Sequence, residues 1–350
     1  MNQGHTAVWG SVLGGIAAAV VCTSTALAAP ALEYQATLDM PCGGERSSLP
    51  VAVTVHPAGG DSSDRSEACV TDAVTASGVV FDSNNVRVFS TGLTARLIAP
   101  ADVTVLPTGG FVCTDGLLGG GRTIRRLNLF GEPTAFAPEA PRNPWAPEHL
   151  LITRDGNYVT TDPSLGILAK HDARTGALLW ARELEGQKPG EILGIGKPAE
   201  APDGRLYLPL GGERRVAVLS AEGEGLESFG VPGTGAGRLS FPIGVAFCPD
   251  GNIAVLDGMR GVVLFYDSSH VFQAESGQPG GGPQDFYHPV AIAAAPDGRV
   301  YVAQGFLGRV YVFRYVVTEA AGYTTINQSC LAEAGRVRSF DSHREGEGCL

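Results

Sequence analysis

Basic side chains are scarce in this sequence, and nowhere do they gather into a long run. Lysine and arginine number 25 against 36 aspartates and glutamates, for a formal charge of −11. The one local grouping, Arg122, Arg125 and Arg126, reads as the solvated end of a strand. Binding nucleic acid requires a cationic footprint that displaces counterions from phosphates. Nucleic acid is therefore excluded as a partner. Cys-x-x-Cys pairs and Cys-x-x-Cys-His stretches are missing too, which removes cysteine-held metal clusters and covalent haem. No serine-centred nucleophile motif is present.

Long apolar runs are also missing, except at the start. Residues 12–21 are apolar and rich in small side chains, and Ala26-Leu27-Ala28 fits the small-x-small cleavage rule. The leading segment carries His5 but no Lys or Arg, and residues 7–29 are nearly long enough to span a bilayer. An uncleaved anchor is thus the competing reading. Gly, Ser and Thr dilute the run, which favours a signal peptide over 1–28 and an exported protein, periplasmic or extracellular, with no membrane span after cleavage. Cys22 falls in that segment, leaving Cys42, Cys69, Cys113, Cys248, Cys330 and Cys349. An even number in an oxidising compartment suits disulfides. Local loop closure at the two chain ends favours Cys42 with Cys69 and Cys330 with Cys349. Elimination leaves Cys113 with Cys248, for which two buried free thiols are the alternative.

Glycine and proline, by contrast, are abundant at 48 and 23 residues, and they are spaced regularly. Nine residues separate Pro50 from Gly59, Pro100 from Gly109, Pro147 from Gly156, Pro242 from Gly251 and Pro289 from Gly298. A sixth copy keeps Gly204 but has Ile195 in the proline's place. Successive glycines lie 50, 47, 48, 47 and 47 residues apart. Residues 235–266 show what each copy contains: an apolar run, Asp250-Gly251, a second apolar run ending at Asp257, then a third closed by Asp267-Ser268-Ser269. Asp-Gly between short apolar runs marks a hairpin, because the turn needs a positive φ that glycine adopts without strain. A four-stranded sheet repeated at this period predicts an all-β fold, a six-bladed β-propeller of four-stranded antiparallel blades. The propeller is expected over 50–317, after an N-terminal segment (29–49) in which 31–40 could supply a ring-closing strand. A polar tail, disulfide-tied, is expected over 318–350.

The motifs resemble a known family. Gly235-x-Gly237-x-x-x-Phe241-Pro242-x-Gly244-Val245-Ala246 and Asp250-Gly251-Asn252-Ile253-x-Val255-x-Asp257 look like the NHL repeat. A second good copy runs through His288-Pro289, Asp297-Gly298-Arg299-Val300-Tyr301-Val302 and Arg309-Val310. The resemblance covers about 50–315 and implies an interaction module more readily than an enzyme, since members of that family are mostly interaction modules and a minority are enzymes; the motifs themselves specify the fold and not a reaction.

Two sets of residues are candidates for function. Six residues past each glycine stand Asp115, Asp162, Leu210, Asp257 and Gln304 on one rim. They form either a polar binding rim or caps for the local turns. Trp145, Met259, Arg260, Phe286 and Tyr287 fall in connections of the same rim and are of the types that anchor interfaces. Trp145 and Phe136 could instead pack the proline-rich connection 131–147 onto a blade. The second set stands two residues past each starting proline (or Ile195): Ala52, Asp102, His149, Lys197, Gly244 and Ala291. This places Asp102, His149 and Lys197 at the mouth of the channel on successive blades, a set capable of acid-base work.

Propeller enzymes similar to this family hold zinc with several histidines or calcium with several carboxylate oxygens. Here only His149 enters the channel, with His288 outside it, and Lys197 places a positive charge where calcium would sit. No metal and no cofactor are expected. The reading is a non-catalytic scaffold that binds a protein or small-molecule partner at its rim. The alternative is a hydrolase or lyase centred on Asp102, His149 and Lys197.

Overall fold

The computed structural model describes residues 28–41, 48–57, 66–117, 121–184 and 194–319. Residues 29–318 form one compact unit. A second grouping, 1–28 with 319–350, lies outside the described residues apart from Ala28 and Glu319. The expected signal peptide and most of the expected polar tail therefore fall outside them.

The ladder of glycines does form a ladder of turns. Gly109, Gly156, Gly204, Gly251 and Gly298 all adopt φ between 81° and 87°. Each donates its N–H to the carbonyl three residues back, as Gly251 does to Cys248 at 3.0 Å. Such a turn connects the first and second strands of the second to sixth copies, while Gly59 of the first lies outside the described residues, and the copies become blades. Blade one is built from Pro50–Pro57, Ser66–Asp72, Ser77–Phe81 and Arg87–Ser90. Blade three is His149–Ile152, Tyr158–Asp162, Ile167–His171 and Leu178–Glu183; blade four is Ala199–Glu200, Leu206–Leu210, Arg215–Leu219 and Gly225–Phe229. Blade five is Pro242–Phe247, Ile253–Asp257, Val262–Tyr266 and Phe272–Ser276. The protein is a six-bladed β-propeller.

Two blades depart from this plan. Among the described residues blade two has three strands, Asp102–Val105, Phe111–Gly116 and Arg122–Leu127, with a single antiparallel bridge from Leu127 to Pro133 in a fourth strand's place. Its chain then leaves along the proline-rich connection, where Phe136 meets Tyr158 of blade three edge-on at 6.0 Å. Blade six takes Pro289–Ala294, Arg299–Gln304 and Arg309–Glu319 from the end of the chain, and its outer strand, Ala28–Thr37, from the beginning. Leu38 extends that seam, donating its N–H to the Val310 carbonyl at 2.9 Å.

Burial follows from position in the blade. The second and third strands are covered on both faces, so Ile253–Asp257 and Val262–Tyr266 are buried at every residue. Outer strands face water, and Gly225–Phe229 is exposed at all but its last residue. Six apolar clusters result, one at each junction between neighbouring blades. Burying such faces stabilises by about 25 cal/mol per Å² of apolar surface.

The cysteines correct the sequence reading. Cys113 and Cys248, paired by elimination, are both buried free thiols. They lie in different junctions, between blades one and two and between blades five and six. Burial pushes each of these thiols up to about 12. Cys69, expected to bond Cys42, is also free, buried in the same junction as Cys113. Cys42, Cys330 and Cys349 lie outside the described residues.

Candidate functional site: the rim and the central channel

The rim carboxylates are clamps. Asp257 accepts N–H bonds from Ser240 (2.6 Å) and Phe241 (3.0 Å) of the incoming connection, and from Met259 (3.1 Å) and Arg260 (2.9 Å) of the outgoing turn. Asp162 does the same with Ala146, Ser164 and Leu165, and Asp115 with Ile98, Ala99 and the Arg125 guanidinium. Gln304 uses its amide both ways, accepting from Tyr287 N–H at 2.7 Å and donating to the Asp285 carbonyl at 3.2 Å. A carboxylate with two to four donors ties two loops that would otherwise leave buried N–H groups unpaired. All four side chains are buried. Of the two readings offered by the sequence, they take the geometry of caps and hold the rim's shape. Asp72 is the clamp of blade one, bonding Leu49, Val74 and Thr75. Sequence counting missed it because the insertion after Gly59 breaks the spacing.

Three other expected contacts are also withdrawn into the fold. Trp145 is 8% exposed and lies 5.1 Å from the His171 ring. Phe286 is 2% exposed and packs edge-on to Phe313. Arg260 is held by both Glu275 oxygens at 2.9 Å. Met259 and Tyr287 remain exposed, at 72% and 40%.

Tyr287 belongs to a patch. Its ring lies 4.7 Å from His288 and 5.9 Å from Phe306, and His288 lies 5.7 Å from Phe306. Phe306 is 78% exposed, and Leu49 and Val290, also exposed, flank the adjoining Gly305. His288 holds φ at 48°, a left-handed backbone that costs a residue with a Cβ about 1 kcal/mol or more. A sequence signal for Phe306 exists: it stands two past its clamp, Gln304, as Met259 stands two past Asp257.

At the channel, Asp102, His149 and Lys197 do converge. Lys197 Nζ donates to Asp102 Oδ2 at 2.5 Å, and the same oxygen accepts the Leu150 N–H at 2.9 Å. Asp102 is fully buried, and its Oδ1 has no partner among the described residues. Burial lowers the His149 pKa, keeping the ring neutral, with Glu148 and Asp102 opposing and Lys197 reinforcing the shift. The aspartate is thus engaged by the amine and a backbone N–H. It does not orient the imidazole. Among the described residues no group of three or more His, Cys, Asp or Glu side chains is arranged to hold a metal.

Below this pair lies a cavity of about 510 Å³, lined by the inner strands of all six blades. Lys197 lines it near the start of the inner strands. The exposed turn residues Pro107, Arg154 and Gly156 line it at the Asp-Gly rim. It therefore opens on the face opposite to the aromatic patch. Each inner strand is terminal in its sheet, and those of blades four and five touch through the Lys197 N–H, which donates to the Ile243 carbonyl at 3.3 Å.

The sequence matches no family profile and no curated protein. Solved structures do share the fold. A streptogramin B lyase structure superposes with a TM-score of 0.56 at 14% identity, covering 82% of this chain and 98% of that one. A catalytically inactive virginiamycin B lyase from Staphylococcus aureus, solved with quinupristin, gives 0.54 at 13% identity over 84% and 97%. A Bacteroides thetaiotaomicron protein of unknown function gives 0.60 at 12% identity over 81% and 73%. At these identities the likeness is one of fold, and the neighbours include both an enzyme and a protein without an assigned role.

Proposed function

We propose that this protein is an exported NHL-type propeller that acts as a non-catalytic binding module, docking a protein partner on the clamped rim. The observation that carries the reading is the exposed cluster of Tyr287, His288 and Phe306 on loops fixed by buried clamps. Rigid aromatic anchors on a pre-organised surface are what interfaces concentrate their energy in. The lyase or hydrolase alternative has less behind it, because Asp102 is committed to Lys197 and Leu150. Resemblance to lyases in fold does not transfer their chemistry.

Affinity capture from the native extracytoplasmic fraction tests the proposal, comparing wild type with Phe306→Ala, Tyr287→Ala and the remote surface variant Leu226→Ala. A partner retained by wild type and Leu226→Ala but lost, at least about tenfold, by both rim variants supports it. Equal capture by all four proteins sinks it.

A further inference from the structure

The channel offers a second site, independent of the rim. Five residues past each starting proline or Ile195 stand Val55, Val105, Ile152, Glu200, Phe247 and Ala294, one from each blade. All six line the cavity, and all six are half-buried. Five are apolar. The sixth is a carboxylate in an apolar ring, an arrangement that costs stability unless the charge finds a partner.

Glu200 has only part of one. Its Oε2 accepts the Arg154 backbone N–H at 2.7 Å. The Arg154 guanidinium is turned onto the Pro202 carbonyl, also at 2.7 Å, in the outer turn. Lys170 is taken by Asp155 at 2.7 Å. Among the described residues no cationic atom stands within ion-pair distance of the Glu200 carboxylate. Burial raises its pKa, as expected of a carboxyl short of compensation. On the facing blade, burial keeps His56 neutral, so it supplies no counter-charge either.

We propose that the channel binds an organic cation, an apolar body carrying one ammonium group, with the ammonium on Glu200 and the body against Val55, Val105, Ile152 and Phe247. The cavity is of the size that small-molecule sites occupy. Phe247 adds an aromatic ring to the lining, a group that attracts cations. A net charge of −11 raises the local concentration of such ligands and lowers that of anions. Lys197, which also lines the cavity, does not repel the ligand, because Asp102 neutralises it.

Dansylcadaverine, a primary amine bearing a fluorophore that brightens in apolar surroundings, and its neutral N-acetyl derivative are the probes. The amine is expected to bind about tenfold more tightly than the amide. Glu200→Gln should shrink that preference to about twofold or less while leaving the melting temperature near that of wild type. Ala294→Trp, which fills the ring from another blade, should abolish binding of both probes and covers the case in which Glu200→Gln fails to fold. Equal binding of amine and amide, a preference that survives Glu200→Gln, binding that survives Ala294→Trp, or no emission change at millimolar probe would each overturn the assignment. Phe306→Ala should leave probe binding untouched, so this result and the rim result stand apart.

Discussion

Lys197, on the fourth blade, reaches past the third to hold Asp102 of the second at 2.5 Å. One ion pair thus ties three neighbouring blades beside the channel, since the same carboxylate also takes the Leu150 N–H. Removing one partner of a buried pair strands the other, at a cost of about 3–5 kcal/mol. Asp102→Ala should therefore destabilise by about that much in urea unfolding, and Asp102→Ala with Lys197→Met should recover most of the loss. A double variant no more stable than Asp102→Ala alone would show that the pair is not coupled.

Buried histidines weaken the fold in mild acid. Burial is the main cause holding the pKa of His56, His149 and His171 below the ordinary value of 6.5. Just below pH 6.5 the unfolded chain takes up protons that the folded chain does not, so stability falls as pH drops from 6.5 towards the folded values. The slope should approach about 1.4 kcal/mol per pH unit for each such histidine. His149→Gln should make the loss shallower when unfolding is measured from pH 7.5 to 5. An unchanged slope would remove His149 from the account.

Two glycines are required for different reasons. Gly251 sits at φ 87° with open space where a Cβ would go, so Gly251→Ala should cost only the conformational penalty, about 1–2 kcal/mol. A Cβ on Gly196 would meet the Ile243 carbonyl oxygen at 2.1 Å, between the inner strands of blades four and five. Gly196→Ala should cost clearly more, because backbone must move. Thermal melts of the two variants decide it, and the reverse order would contradict this packing.

Burial separates two phenylalanines of the last rim. Phe306→Ala should change stability by less than about 0.5 kcal/mol, whereas Phe286→Ala should cost about 3–5 kcal/mol through the cavity it leaves. Similar melting temperatures for the two would mean that Phe286 is not in the core.

The propeller was legible because its recurring turns are local. A proline, a nine-residue interval and a glycine at positive φ are properties of one short stretch, repeated. The strand that completes the last blade could be anticipated near 31–40 and is Ala28–Thr37. Exposure was less legible. Arg260 and Phe286 have the side chains of an interface, yet Glu275 and Phe313, distant in sequence or set by packing, draw them inward. Free thiols at Cys113 and Cys248 depend on which blades meet, which spacing alone does not specify. Asp102 and Lys197 could be brought to one mouth by counting, but that they bond each other and not His149 depends on side-chain reach.

The seam in the sixth blade also fixes an order of events. Its outer strand is the first described strand in the chain, and its other three are the last. A strand made early in synthesis thus has no sheet to join until residues near 309–319 have been added. The chain therefore carries an unpaired edge through most of its synthesis, and the circle is sealed by a strand made long before the three it joins.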